Sequence, residues 1–512
     1  MNEQSAIAID RLSQLPQPIL HSILSLLSQR DAVRTSVLSK SWRYLWHGRF
    51  IVEYRDLAHS SARKKEFWTS LGNTLQRYLD QNLSLQKFIV DIFHYEVDFV
   101  LLQKWIPVLI MNMGLKSLSL IFSCNNKAYP VPLVVFQSES LVELHLNRCD
   151  LNALKSTDNV MFKNLQTLRL YYVKVTDEFF EKIISSCPLI EYLSLLECKG
   201  LKSIKLRKHH NIKDFGCSVN VPLIIEIEDP HALESLRIEN CCHNWFLPHK
   251  NMHFPHLKSL TLKRVKLPAE TFVNFSSFFP CLNELIINNC NGFKGFRLLS
   301  SSIKRLTIKM DTGNRMKAFI DTPNILYFEY SGDGDGVLPS IKFMATSNVW
   351  KSKISLSYKL DVLGKDAMSW FLKLNKLLKA LSQSHITLEL DPNKYKKLHI
   401  NNSYGGLYKP VVVEHLKLQR CFSSSFDPAI LNCFFRICRP RYIHIDLFCD
   451  LQAKCSLFEY ISKLIPDETG CYFRLQDLEV WDFNAKEWLC VKGKNIPYRL
   501  TGCYFRLTWK EQ

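Results

Sequence analysis

The stretch LKSLTLKRVKLPAETFVNFSSFFPCLNELIINNC, residues 257–290, contains one short apolar pattern twice. The pattern is LxxLxLxx, followed by Val265 in the first copy and by Cys290 in the second. Alternating apolar residues predict a short β-strand with one buried face. Because one copy cannot bury that face alone, we expect neighbouring copies to stack and share a continuous core.

Related copies of the pattern occur on both sides of this stretch. They are LVELHLNRC from Leu141, LQTLRLYYV from Leu165, IEYLSLLEC from Ile190, LESLRIENC from Leu233, IKRLTIKM from Ile303, VEHLKLQRC from Val413 and LQDLEVWDF from Leu475. The central positions Leu118, Leu144, Leu168 and Leu193 are 26, 24 and 25 residues apart. A period of this length is typical of leucine-rich repeats.

The repeats predict an α/β fold. We expect a curved horseshoe solenoid with parallel strands on the concave face and helices outside, for example in TDEFFEKIISSCPLI from Thr176. The gap of 43 residues between Leu193 and Leu236 predicts one degenerate unit near Phe215. The last position of the pattern turns the chain inward, which predicts structural thiols at these positions: Cys149, Cys198, Cys241, Cys290 and Cys421.

Composition excludes several classes of protein. Hydrophobic residues make up 47% and charged residues 22%, which is typical of a globular chain. We expect no membrane span, since no apolar run approaches 20 residues. The net charge is +18, but the sequence contains no Lys/Arg run dense enough to predict nucleic-acid binding. The 17 cysteines form no Cys-x-x-Cys pair and follow no signal peptide, so we expect reduced thiols in the nucleus or cytoplasm.

The segment IDRLSQLPQPILHSILSLLSQRDAVRTSVLSKSWRYLW, residues 9–46, predicts three short helices. Ser13, Asp31 and Ser39 are candidate caps for them. The apolar positions outnumber what three short helices can hide among themselves, which indicates a partner-binding surface. A helical cap that seals the first repeat fits the pattern equally well.

The same segment closely resembles the F-box of plant F-box proteins along about 40 positions. The resemblance implies that a Skp-type adaptor protein binds here and bridges to a cullin and a RING subunit. The implied contact residues are Leu15, Pro16, Ile19, Leu20, Leu24, Leu27, Val33, Val37, Leu38 and Trp42. The repeats also resemble those that follow the F-box in plant F-box/leucine-rich-repeat proteins.

These observations predict five regions. They are a flexible N-terminus at 1–8, an F-box at 9–50, a helical linker with degenerate first repeats at 51–113, regular repeats at 114–310, and divergent repeats with a C-terminal cap at 311–512. The short duplication TGCYFRL, at Thr469 and again at Thr501, carries no functional prediction.

A target-binding surface is predicted on the strand positions between the buried residues. The candidates are His145, Asn147, Arg169, Tyr171, Arg237, Glu239, Lys263 and Arg305. The basic members favour an acidic or phosphorylated target protein. A merely solvated strand face is the alternative for each of these residues.

No catalytic motif is present, so we expect neither an enzyme nor a cofactor. The Cys and His residues of 241–256 could suggest zinc, but without a supporting Cys-x-x-Cys we expect no metal. SGDGDG at 331–336 lacks the glutamate of a calcium loop. The sequence thus predicts a substrate-recognition adaptor of an SCF-type (Skp–cullin–F-box) ubiquitin ligase. The alternatives are a repeat scaffold without ligase role, or an adaptor whose target surface needs a small ligand.

Overall fold

The computed structural model describes most of the chain, with gaps. The described residues are 12, 14–27, 31, 34–38, 42, 51–55, 64–93, 98–123, 128–155, 157–206, 209–220, 223–228, 230–240, 253–267, 272, 274–310, 316–333, 338–344, 349–359, 367–394, 409–422, 430–448, 475–482, 486–490 and 503–509. The chain divides into an N-terminal unit, Met1–Trp245, and a C-terminal unit, Phe246–Gln512.

Helix α1, Gln17–Leu26, forms the described core of the predicted F-box. It begins directly after Pro16 and carries a proline in its first turn, where a missing backbone N–H costs nothing. Pro16 occupies the cap position without a side-chain hydrogen bond, and the predicted cap Ser13 lies outside the described residues. A 3₁₀ turn, Thr35–Val37, follows the ion pair of Asp31 with Arg34 (3.1 Å).

The N-terminal unit is built around one parallel sheet. Its further helices are α2 Lys64–Asp80, α3 Phe99–Asn112 and α4 Asp177–Ser185. Its strands are β1 Ile51–Arg55, β2 Lys87–Ile92, β3 Ser117–Phe122, β4 Tyr129–Pro130, β5 Glu143–Asn147, β6 Cys149–Asp150, β7 Thr167–Tyr171, β8 Tyr192–Leu196, β9 Ser203–Leu206, β10 Asp214–Ser218, β11 Ile224–Ile227 and β12 Ser235–Glu239. The strands β1, β2, β3, β5, β7, β8, β10 and β12 pair in that order, all parallel.

The register of this sheet follows the repeat pattern. Leu144, Leu168 and Leu193 are buried neighbours on successive strands. The degenerate unit near Phe215 is confirmed, because Phe215 pairs with Leu193 on one side and with Leu236 on the other. The α/β class and the parallel strands of the prediction are therefore confirmed within this unit.

The segments between the sheet strands contain fewer helices than predicted. The helix expected after Thr176 is present as α4, and the Thr176 hydroxyl caps it by accepting from the Phe179 amide. Helices α2 and α3 connect β1 to β2 and β2 to β3. After β3, the other connections contain short parallel ladders, β4 with β6 and β9 with β11, or the 3₁₀ turn Leu133–Gln137. These segments hold few residues per repeat, and extended backbone crosses one repeat in fewer residues than a helix.

Six of the repeat strands are each followed by a residue with left-handed backbone geometry. These residues are Arg148, Tyr172, Glu197, Asn240, Arg264 and Asn289, with φ between 51° and 59°. Their position in the repeat is constant, directly after the strand. The turn points the next side chain inward, as Cys149, Val173, Cys198, Val265 and Cys290 show by being buried. The predicted inward turn at this position is confirmed.

The inward thiols have a structural role. The Sγ atoms of Cys198 and Cys290 donate to the carbonyl oxygens of Leu170 (3.1 Å) and Leu262 (3.3 Å) on strands of the preceding repeats. Burial raises the pKa of Cys198 to about 12 and that of Cys290 to about 11, so both remain protonated donors. Cys241 lies outside the described residues, and nothing is described of the Cys421 side chain.

The C-terminal unit continues the same architecture with longer strands. Its helices are α5 Phe275–Phe278, α6 Ala367–Ala380 and α7 Ile430–Ile437. Its strands are β13 Ser259–Lys263, β14 Glu284–Asn288, β15 Gly295–Leu299, β16 Arg305–Met310, β17 Lys317–Asp321, β18 Tyr327–Asp333, β19 Ser340–Phe343, β20 Trp350–Lys359, β21 Ser384–Lys394, β22 Val411–Phe422, β23 Cys438–Phe448, β24 Leu475–Asp482, β25 Glu487–Cys490 and β26 Cys503–Trp509.

Two ladders organise this unit. The strands β13, β14, β16, β18, β20, β21, β22 and β23 form a parallel sheet, and β15, β17 and β19 form a second parallel layer. The last strands reverse direction: β26 pairs antiparallel with β23 and β24, and β25 with β24. The pattern LQDLEVWDF from Leu475 is therefore not a repeat strand, because β24 belongs to this antiparallel end.

Candidate functional site

The predicted adaptor residues divide into a core group and an exposed group. Leu20, Leu24 and Trp42 are buried against one another, and Leu15 and Leu27 pack on them half-buried. The buried members therefore support the surface of the F-box from its core. The exposed members are Pro16, Ile19 (47%), Val37 (85%) and Leu38 (57%). Val33 lies outside the described residues.

Sequence reasoning left two exposed apolar side chains out of the adaptor set. Leu26 is 87% exposed at the end of α1, and Leu12 is 49% exposed before it. The helical spacing of the apolar residues placed Leu26 on a broad apolar face. The spacing does not show which part of that face is buried by other residues of the chain. With Ile19, Val37 and Leu38 these two residues form what we name the adaptor surface. Five apolar side chains within residues 12–38 are therefore exposed and available to a protein partner.

The second candidate surface is one face of the sheet in the N-terminal unit, which we name the open face. It is the face opposite the one that packs on the core. Its middle row is His145, Arg169, Ser194, Gly216 and Arg237, one residue on each successive strand from β5 to β12. The next row contains Asn147, Tyr171 and Glu239. Six of the eight predicted target residues therefore share one face, as the repeat register requires.

A polar cluster lies at one end of the middle row. The rings of His145 and Tyr171 meet edge to face with centroids 4.9 Å apart, and the Tyr171 hydroxyl lies 3.3 Å from the Ser194 Oγ atom. The Nε2 atom of His145 and the Oδ1 atom of Asn147 are buried without a hydrogen-bond partner in the described part of the chain. Buried polar atoms without a partner are costly, so these two atoms have hydrogen-bonding capacity that the described side chains leave unused.

His145 is held neutral in this cluster. Desolvation by burial, together with the nearby Arg169 guanidinium, lowers the pKa of His145 from 6.5 to about 4. The imidazole therefore offers one donor and one acceptor at neutral pH and no positive charge. The charge of this part of the open face comes from the arginines.

His145→Gln is expected to flatten the dependence of stability on pH between 6.5 and 4. As pH falls through this window the unfolded state binds the proton first, so wild-type protein loses stability that is fully present above pH 6.5. For this half-buried ring the loss is about 1–2 kcal/mol after discounting for solvent. Urea unfolding of both proteins at pH 7 and pH 4.5 measures it. Parallel pH profiles would show that His145 does not titrate this way.

Two arginines lie in the middle row of the open face, Arg169 on β7 and Arg237 on β12. Arg169 and Arg237 are both exposed, and neither forms an ion pair with any residue the structure describes. Three strand spacings of about 4.8 Å separate their backbones, roughly 14 Å in all. The Nη1 atom of Arg237 lies 3.6 Å from the point where Gly216 lacks a Cβ, and the Ser194 Oγ atom lies equally near that point. We name Arg169, Ser194, Gly216 and Arg237 the arginine patch.

Two cations on the corresponding sheet face of the C-terminal unit pair with carboxylates. Arg305 lies 3.6 Å from Glu284 and stacks over the Tyr327 ring at 5.2 Å. Lys353 pairs with Glu389 at 2.6 Å. The predicted target residue Arg305 is thus engaged within the chain. Lys263, the other predicted residue in this unit, lies half-exposed at the end of β13 beside Asn288.

An aromatic group at the end of the C-terminal unit was not predicted. The Arg506 guanidinium lies 4.3 Å from the Trp488 ring centroid and 5.9 Å from that of Tyr442, and it donates to Glu479 at 2.9 Å. Tyr504 and Arg506 belong to the second TGCYFRL copy; of the first copy only Leu475 is described. The repeat template carried no signal for this group, because antiparallel pairing brings its strands together.

The part of the chain that the structure describes contains neither a candidate metal site nor a candidate membrane span. That part holds no group of His, Cys, Asp or Glu residues placed to bind a metal ion. None of its helices combines the length and apolar composition that crossing a bilayer requires. Residues 241–252 of the Cys- and His-rich stretch lie outside it.

Comparison with known proteins matches both parts of the chain. The F-box domain model matches residues 12–51, and the model "FBD-associated F-box protein At5g56370, LRR repeats" matches residues 102–239 and 212–328. Neither description names a catalytic domain. An F-box domain generally binds a Skp-type adaptor, and such proteins generally serve as substrate adaptors.

The names of similar proteins from Arabidopsis thaliana include both an F-box and leucine-rich repeats. F-box/LRR-repeat protein At3g59200 is 32% identical over 37% of this chain and 37% of its own length. F-box/FBD/LRR-repeat protein At1g13570 is 31% identical over 36% of this chain and 44% of its own length. The chain thus spans about two fifths of the length of these relatives. F-box/LRR-repeat protein 25 is 30% identical, and the match covers 39% of this chain and 72% of that protein. With an F-box match at its N-terminus and stacked leucine-rich repeats behind it, the chain belongs to the F-box/LRR-repeat proteins.

Proposed function

We propose that this chain is the substrate-recognition subunit of an SCF-type ubiquitin ligase. The adaptor surface binds a Skp-type protein, and through it a cullin and a RING subunit. The repeats hold the target close to the ubiquitin donor, and the high effective concentration favours transfer. The chain itself performs no chemistry and acts in the nucleus or cytoplasm.

The observation that carries this proposal is the exposed apolar group on the F-box. Leu26 and Val37 are each more than four-fifths exposed, although the F-box has a closed core of its own around Leu24 and Trp42. A helical cap would direct these side chains into the repeats. Their exposure supports docking on another protein and disfavours the scaffold alternative.

The ligase assignment is tested by co-purification from plant cells treated with a proteasome inhibitor. Tagged full-length chain is expected to retain a Skp-type adaptor and a cullin in stoichiometric amounts, measured by quantitative mass spectrometry. The recovered complex, supplied with the ubiquitin-activating and -conjugating enzymes, is expected to form ubiquitin chains. Recovery of neither subunit would favour the scaffold without ligase role.

The target proposed for the open face is an anionic segment, acidic or phosphorylated. Among the described residues, Arg169 and Arg237 have no carboxylate partner, unlike Arg305 and Lys353. Guanidinium groups bind carboxylate and phosphate oxygens in bidentate geometry. The two arginines are three strands apart, which suits a segment that crosses several strands. Gly216 lies between them without a side chain, and the Arg237 Nη1 atom lies 3.6 Å from the position that a Cβ would take there.

Arg169→Gln combined with Arg237→Gln is expected to abolish preference for anionic peptides. Charge-assisted hydrogen bonds contribute about 1.5–3 kcal/mol each, so the pair corresponds to a loss of 100-fold or more. The probe is a randomised peptide library whose fixed central residue is phosphoserine, glutamate or glutamine. Arg297→Gln, which alters an exposed arginine of the other unit, is the control. Equal binding of the three libraries to wild-type protein would contradict an anionic target while leaving the ligase role intact.

A further inference from the structure

The C-terminal unit contains a pocket that none of the surfaces above uses. It has a volume of about 450 Å³ and lies between helix α6 and the second-layer strands β17 and β19. Met316, Ile341 and Leu377, all buried, form its floor, and Ala380 forms part of its wall. Pockets that bind small molecules have volumes of about 300–1,000 Å³ and mostly apolar linings. In size and lining this pocket is suited to a small ligand.

Four lysines surround the opening. Lys317 and Lys342 come from the strands, and Lys373 and Lys376 from successive positions of one helix face. All four are exposed, and none of their ammonium groups forms an ion pair or hydrogen bond with any residue the structure describes. Four like charges around one opening repel one another, so a bound anion would relieve this repulsion.

We propose that this pocket binds a small organic anion with an apolar body and one acidic head group. The body lies on the floor of Met316, Ile341 and Leu377, where burial of apolar surface supplies most of the affinity. The lysines hold the head group at the opening. Lysine is a flexible point charge, so a carboxylate and a phosphate ester are both suitable head groups. This ligand site goes beyond the proposed ligase role and does not depend on it.

The proposal is tested by isothermal titration of the full-length chain with four probes. Decanoate and decyl phosphate have the apolar body and an acidic head group, decanol has the body alone, and inorganic phosphate has the charge alone. Either amphiphilic acid is expected to bind at least tenfold more tightly than decanol, and the tighter of the two identifies the head group. Equal binding of decanol, or binding of inorganic phosphate as tight as that of the amphiphiles, would overturn the proposal.

Two variants place the binding in this pocket. Lys317→Gln with Lys376→Gln is expected to weaken the preferred acid about tenfold without changing decanol binding, because the apolar floor is intact. Lys304→Gln with Lys351→Gln, two exposed lysines outside the pocket, is the matched control. Ala380→Phe, which adds a ring to the wall, is expected to weaken both acid and alcohol. Unchanged binding in the lysine and Ala380 variants, with unchanged thermal unfolding, would show that the acid binds elsewhere.

Discussion

Leu26→Asp combined with Val37→Asp is expected to reduce affinity for the Skp-type adaptor by more than 100-fold. Leu26 is 87% exposed and Val37 is 85% exposed in the isolated chain, so each has apolar surface available for burial on binding. Burying one such side chain contributes about 1.5–3 kcal/mol, and an aspartate in its place must lose its hydration without an ion partner. Surface plasmon resonance with the purified adaptor protein measures the affinity.

The matched control is Val349→Asp with Val412→Asp. These valines are 77% and 55% exposed in the C-terminal unit, so the control adds the same charge to apolar positions that are also mostly exposed. Both double variants are expected to unfold like wild-type protein, whereas Leu24→Ala opens a cavity in the F-box core and destabilises the domain itself. Adaptor affinity within threefold of wild type in the Leu26/Val37 variant would place the interface elsewhere.

The strands of the repeats were predictable because their signal is local. Leucines at alternating positions with a period near 25 place Leu144, Leu168 and Leu193 on one buried row, and the same spacing located Phe215 in a unit without a recognisable pattern. The inward cysteines were predictable for the same reason. Each of these features depends on one repeat and its immediate neighbour.

Features that depend on pairing between distant segments were not predictable. The end of the C-terminal unit is antiparallel because β26 returns between β23 and β24, and no local pattern in Leu475–Asp482 distinguishes it from a repeat strand. The short second-layer ladders are another example. The sequence analysis predicted helices for these connecting segments, because the repeat pattern does not show whether a connection is extended or helical.

The sequence predicted which positions belong to the candidate surfaces, but not whether each residue is buried, exposed or paired with a charge. On α1, apolar residues cover more than one side, so Leu20 and Leu24 could not be separated from Ile19 by pattern alone. On the sheet face, Arg169 follows the central leucine of its repeat, Leu168, whereas Arg305 precedes its central leucine, Leu306. The pattern did not show how each is paired: Glu284 lies beside Arg305, and Arg169 has no carboxylate partner among the described residues.

Two glycines fix the path of the chain where it leaves the inward turn. Gly200 follows Cys198 by two residues, and Gly292 follows Cys290 in the same way. Both have positive φ, +102° and +93°. Lys199, the residue before Gly200, forms two backbone hydrogen bonds with the preceding repeat. Its amide donates to the Val173 carbonyl (2.8 Å), and its carbonyl accepts from the Val175 amide (2.9 Å). The backbones of successive repeats therefore meet closely at these glycines.

Gly200→Ala is expected to destabilise the N-terminal unit by about 2–5 kcal/mol, with backbone strain and overpacking as the two causes. The new Cβ would lie 2.5 Å from the Val175 carbonyl oxygen, and neither backbone can yield without breaking the bonds that join the two repeats. Gly114→Ala is the matched control, since Gly114 also has positive φ (+64°) but no atom within 4 Å of the added Cβ; it is expected to lose only about 1 kcal/mol. Urea unfolding followed by hydrogen exchange of the β7 and β8 amides compares the two. Equal losses in both variants would mean that the repeats can separate at Gly200, and that the close backbone approach does not determine how they stack.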